Sequence, residues 1–227
     1  RYALDIEGPL ADAYARLAVA LDFETFNRLF SDFEHRRDAI AAYVERCGGY
    51  EGMQAHVWDT CGFQTPTRPE AIAEAAFAAL NRRLYDEAAQ VLSGGTKTDV
   101  KCADGLRAVA DIPAALAVLF TKNGEGTAAT WVAKTSGLKS REDLRMALLT
   151  EQERLEKVRT QLRSARVAEA TVQVLAMASA YAEAYRQAKD QRGALDFADL
   201  VSRTRQLVAE RPDAAWVLYK LDGGIDH

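Results

Sequence analysis

SREDLRMALLTEQERLEKVRTQLRSARVAEATVQVLAMASAYAEAYRQAKDQRG, residues Ser140–Gly193, holds no proline and no glycine before its last position. Ser140 and Asp143 have the spacing of a capping box, in which hydroxyl and carboxylate each serve a free backbone N–H. Gly193 suits the C′ position, where positive φ is needed. Apolar residues recur three and four apart: Leu144, Leu148, Leu155, Val158 and Leu162, then Val167, Ala170, Val174, Met177, Tyr181 and Tyr185. That spacing predicts one amphipathic helix over about 140–192, with a phase shift near Ala165. At about 1.5 Å per residue it would be about 80 Å long, the length of a strut joining two bodies.

Outward from this stretch the chain also reads as helix. Of its 227 residues only 5 are proline and 14 glycine, and an apolar share of 48% with 27% charged is ordinary for a globular protein. Periodicity predicts helices over about 10–21, 24–47, 53–61, 70–80 (or on to 92), 100–110 and 113–120. Gly48-Gly49 ends the second, and Pro69 suits the start of the fourth. Thr127–Lys134 is the one stretch where a short strand or extended arm is expected. Helices over about 197–210 and 213–221 close the chain. The expected fold class is all-α, a multi-helix domain with one long helix and at most a short arm or hairpin near 121–136.

The closing residues carry a resemblance. Asp196-Phe197-Ala198-Asp199-Leu200 follows the long helix, and the chain ends Tyr219-Lys220-Leu221-Asp222-Gly223-Gly224-Ile225-Asp226-His227. This looks like the first motor lobe of a UvrD-like superfamily 1 DNA helicase, closest to the AddA-type subunit of bacterial helicase–nucleases that process double-strand breaks. There a DFxDL helix follows a long helical insertion, and a YKLDGGIDH-like turn leads into the Walker B strand. The resemblance is strongest from about Leu119 to His227. It implies that residues 1–192 are an accessory domain (1B-like) and residues 193–227 return to the RecA-like motor lobe (1A), ending before Walker B. With Arg1 in place of an initiator Met, the chain is expected to be an internal piece of a longer protein.

The resemblance also implies a function. The parent would be an ATP- and Mg-dependent DNA helicase and exonuclease subunit for break repair and recombination. It would work with an AddB-type nuclease partner in the bacterial cytoplasm, at the nucleoid. The piece itself carries neither Walker A nor Walker B, so no cofactor, no catalytic residue and no ATPase are expected of it. Phe197 and Leu200 would pack into the motor lobe, beside Asp196 and Asp199. Trp216, Leu218, Tyr219 and Leu221 would aim the following strand.

DNA contact, duplex or single-stranded near a junction, is expected in the arm Thr121–Arg145. Lys122, Lys134, Lys139, Arg141 and Arg145 can neutralise phosphates, Thr121, Thr127, Thr130, Thr135 and Ser136 offer hydroxyls, and Trp131 offers a stacking surface. Lys97 and Lys101 form a second basic patch. The family's turn at this point is more basic; Asn123 and Gly126-Thr127-Ala128 stand in its place.

Other chemistry is hard to place. Gly94-Gly95-Thr96-Lys97-Thr98 lacks the phosphate-loop spacing. Cys47, Cys61 and Cys102 are widely spaced, with no Cys-x-x-Cys, so neither a disulfide framework nor a structural zinc is expected. His35 and His56 read as surface imidazoles, and Glu34-His35-Arg36-Arg37 as a solvated face. Glu142-Asp143 and Glu151/Glu153 read as surface ion pairs with Arg141, Arg145, Arg154 and Lys157. A net charge of −4 and a pI near 5.5 argue against a free-standing nucleic-acid binder. No apolar run is long enough for a membrane span. The alternative function is a helical scaffold for protein partners, using the long stripe as a groove.

Overall fold

A computed structural model describes residues 9–134, 137–209 and 219. Its helices are α1 (Pro9–Ala20), α2 (Phe23–Arg46), α3 (Tyr50–Thr60), α4 (Pro69–Ala78), α5 (Arg82–Leu92), α6 (Lys97–Arg107), α7 (Ile112–Leu119), α8 (Trp131–Lys134), α9 (Glu142–Arg192) and α10 (Phe197–Ala209). Among the described residues the sole β-pairing outside helices is one antiparallel bridge, Phe120 to Ala128. The protein is all-α, as the periodicity predicted. The expected helix over 213–221, with Trp216, Leu218 and Leu221, lies outside the described residues, as do Thr135, Ser136 and all of the closing YKLDGGIDH stretch except Tyr219, which is exposed.

Local chemistry sets the boundaries. Asn81 Oδ1 accepts from the Leu84 N–H at 3.2 Å, which starts α5 afresh and splits the helix that 70–92 could have formed. Thr96 and Asp99 form a capping box, Thr96 N–H to Asp99 Oδ2 at 2.9 Å and Asp99 N–H to Thr96 Oγ1 at 3.3 Å. The Gly94–Thr98 stretch is therefore a helix start. Gly49 at φ 101° separates α2 from α3, and Gly193 at φ 60° ends α9. The expected Ser140 box is displaced: α9 begins at Glu142, and the Asp143 carboxylate takes the Arg141 guanidinium at 2.7 Å.

Contacts divide the chain into two units, Ala41–Ala176 and Arg1–Ile40 with Met177–His227. They do not bear on the division at Gly193, which concerns lobes of a parent protein. In the 41–176 unit the main core gathers Tyr85, Leu92, Leu106, Ile112 and Leu119 around Leu148 and Leu155 of α9. A second cluster sets Met53, Val57 and Trp58 of α3 against Ala165, Ala168 and Val172. The buried stripe of α9 thus runs unbroken through Leu162, Ala165, Ala168 and Val172. The phase shift expected at Ala165 is absent: Val167 is 58% exposed and Ala170 is exposed. Small alanines hold the face here because α3 packs closely, and the larger valine points to solvent.

The other unit has a ladder of rings. Tyr14 meets Phe26 edge-on, Phe26 meets Phe30, and Phe30 packs on both Phe33 and Tyr181, with centroids 5.1–5.6 Å apart. Buried apolar residues among those described are few here: Leu17, Phe33, Met177 and Ala178.

Candidate nucleic-acid interface

The arm begins where α7 ends. Across the Phe120–Ala128 bridge, Thr121 N–H donates to the Thr127 carbonyl and Ala129 N–H to the Leu119 carbonyl, both at 2.9 Å. The turn between them is left-handed at Lys122 (φ 51°), Asn123 (φ 53°) and Gly124 (φ 92°). Gly124 is obligatory, since a Cβ there would lie 2.8 Å from Leu116 Cβ. The extended arm expected over 127–134 ends at the bridge, and residues 131–134 turn helical as α8. Val132 is fully buried in the core, and the Trp131 indole N–H donates to the Val118 carbonyl at 3.1 Å. These anchors fold the chain back where an alternating pattern would have left it extended.

Polar residues of α9 hold the turn in place. Gln152 Nε2 donates to the carbonyls of Leu119 (2.8 Å) and Ala129 (3.2 Å). Arg159 Nη1 donates to those of Gly124 (2.8 Å) and Gly126 (2.6 Å). Its Nη2 pairs with Glu156, while its buried Nε makes no hydrogen bond and the guanidinium lies over the Phe120 ring, 4.6 Å from the centroid. Arg163 pairs with Glu125 and holds that carboxyl below its usual range. Earlier on α9, Glu151 is 7% exposed, which corrects its reading as a surface ion pair. It accepts from Tyr85 Oη at 3.1 Å and from Arg154, whose Nη1 also reaches the Ala76 carbonyl. Burial, then the Glu151 charge, pushes the Tyr85 phenol well above its ordinary pKa.

None of these holding residues was nominated from the sequence. The signal was present in their spacing: 151, 152 and 159 fall three or four residues from Leu148, Leu155 and Leu162, on the helix's buried side. A polar residue at a stripe position must find partners inside.

The nominated residues fall into two kinds. Arg141 and Arg145 are tied to Asp143 and Glu142, and the former holds the Asp143 carboxyl down at about 2. Trp131 is half-buried with its N–H committed. Lys122, Lys134 and Lys139 are exposed, with no ion-pair or hydrogen-bond partner among the described residues. Lys97 and Lys101 are exposed as well, on the first turns of α6, and no described contact joins them to the arm. Lys122, Thr121, Thr127 and Arg159 line one open groove beside the turn.

No family model matches the chain, and neither a curated protein nor a solved structure matches it.

Asp196 and Asp199 build a second constellation. They cap α10 reciprocally: Asp199 N–H donates to Asp196 Oδ1 at 2.9 Å and Asp196 N–H to Asp199 Oδ2 at 3.0 Å. Arg37 grips Asp196 through both terminal nitrogens at 2.7 and 2.8 Å, and Lys189 reaches Asp199 at 2.5 Å and Asp196 at 3.2 Å. Both cations lie over the Tyr185 ring. The Arg37 contact is the main reason the Asp196 carboxyl sits far below its usual range. Arg37 is therefore half-buried and engaged, which corrects its place on a solvated face; His35 is exposed as expected. Phe197 and Leu200 of the same motif are 81% and 51% exposed.

Cys47, Cys61 and Cys102 are free and half-buried, and His56 is exposed as expected. Among the described residues no group of His, Cys, Asp and Glu is gathered as metal ligands, and no helix is long and apolar enough to cross a membrane.

Proposed function

We propose that this chain is the DNA-contacting accessory region of an ATP-dependent helicase–nuclease subunit acting on broken DNA ends, with the Thr121–Arg145 arm as its contact. The observation that carries the reading is the split between cations. Arg141, Arg145, Arg154, Arg159 and Arg163 are all spent on internal partners, while Lys122, Lys134 and Lys139 remain exposed and unpaired among the described residues. An unpaired lysine meets a phosphate without first breaking an ion pair, and the release of counterions favours the contact. ATP, Mg and the nuclease partner belong to the proposed parent; this chain's share is to hold the strand or duplex.

Fluorescence anisotropy with a forked DNA at about 50 and 200 mM salt tests this. The expected outcome is affinity that falls steeply with salt and is lost when Lys122, Lys134 and Lys139 are changed together to Glu. Binding unaffected by the triple change would overturn the arm as the contact.

A scaffold is the second reading, favoured by the exposed apolar side chains of α10, Phe197, Leu200, Val201 and Leu207. Under the helicase reading that face packs on a motor lobe. Sedimentation showing a stable dimer, with no DNA binding, would favour the scaffold.

A further inference from the structure

We propose that the Thr121–Thr127 turn is a bracket that holds Lys122 out as a contact to the nucleic-acid phosphodiester, and that its left-handed backbone is kept at a lysine for the sake of that charge. The inference rests on the DNA reading above, singles out one of its three lysines and adds a reason for that residue's conformation.

Lys122, Asn123 and Gly124 take left-handed conformations in succession. Glycine and asparagine adopt them readily; a lysine does so at a cost, because its Cβ crowds the neighbouring carbonyl. Glycine would therefore be the residue of choice at 122 if the position served only to reverse the chain. A strained residue persists when its surroundings over-determine it. Here they do: Thr121 N–H bonds the Thr127 carbonyl, Gln152 holds the Leu119 carbonyl, and Arg159 holds those of Gly124 and Gly126.

The ammonium is left available. Of the carboxylates beside the groove, Glu125 is engaged by Arg163 and Glu156 by Arg159. The Thr127 hydroxyl lines the same groove as Lys122 and is a donor of the kind that positions a phosphate, whereas the Thr121 hydroxyl donates to the Thr127 carbonyl at 3.2 Å.

The test compares Lys122→Gly and Lys122→Arg with Lys134→Glu/Lys139→Glu in the 227-residue chain. Lys122→Gly is expected to raise Tm by about 1–3 °C through relief of strain. It should also weaken forked-DNA binding about threefold to tenfold at low salt and flatten the log–log salt slope by about 1. Lys122→Arg should keep the affinity and leave Tm unchanged. A Lys122→Gly chain whose Tm fails to rise would overturn the strain, and one whose Tm rises while affinity and slope stay put would overturn the contact. If Lys134→Glu/Lys139→Glu weakens binding and Lys122→Gly does not, this inference fails and the DNA reading stands. A wild-type chain without salt-dependent binding removes both.

Discussion

Arg159 binds the carbonyls of Gly124 and Gly126 with one nitrogen, pairs with Glu156 through another, and lies on the Phe120 ring, all at 8% exposure. A lysine could keep the charge but not the fork. Arg159→Lys is expected to lower unfolding free energy by about 2 kcal/mol and Arg159→Leu by about 3 kcal/mol, since buried carbonyls lose their donors. Urea unfolding with a loss below about 0.5 kcal/mol for both would show the turn to be held by other means. Residues of this kind mark where sequence reading stopped. Leu148 and Leu155 were legible because apolar residues at helical spacing go inward. Glu151, Gln152 and Arg159 were not, because charge and polarity alone point outward, and the partners outside α9 lie 23–66 positions away in sequence. Val167 failed in the opposite direction, since hydrophobicity outranks alanine in any pattern although a closely packed face prefers the alanine.

Among the elements, α10 depends most on its first turn. Every side chain described on it is exposed except that of Asp199, and its start is fixed by the reciprocal cap and by Arg37 and Lys189. Asp196→Asn keeps an acceptor for the cap and loses the ion pair; Asp196→Ala loses both. The expected costs are about 1 and about 2 kcal/mol. Acid should act in the same direction. The Asp196 carboxyl is held below the ordinary carboxylate range chiefly by Arg37, so its stabilising effect is complete above the unfolded value of about 4 and is lost as pH falls from there through the lower folded value. Amide NMR of Leu200 and its neighbours on a pH series would record this. An α10 equally ordered at pH about 2 and 7 would overturn the role of the ion pair. The sequence showed both the aspartates and the helix they start. Arg37 lies 159 positions from Asp196, and nothing local connects the two.

For the whole molecule, the two units differ in what they bury. The Ala41–Ala176 unit holds both core clusters, whereas the other buries few apolar residues among those described. Local stability follows buried contacts, so native-state hydrogen exchange should be slowest around Leu148 and Leu155 and faster by about tenfold or more in α1 and α10. Uniform protection across both units would contradict that ordering. The all-α class and the span of α9 were legible in the periodicity and in the absence of helix breakers. The place where the two units divide was not, because α2 and α9 cross that boundary with no helix breaker at it.

The half-buried indole of Trp131 has a consequence for induced fit. With its N–H committed to the Val118 carbonyl, the ring cannot swivel toward an arriving base without giving up that bond. Under the proposed function, a nucleobase stacking there would have to adapt to a plane already set, which would leave the conformational search to the DNA strand.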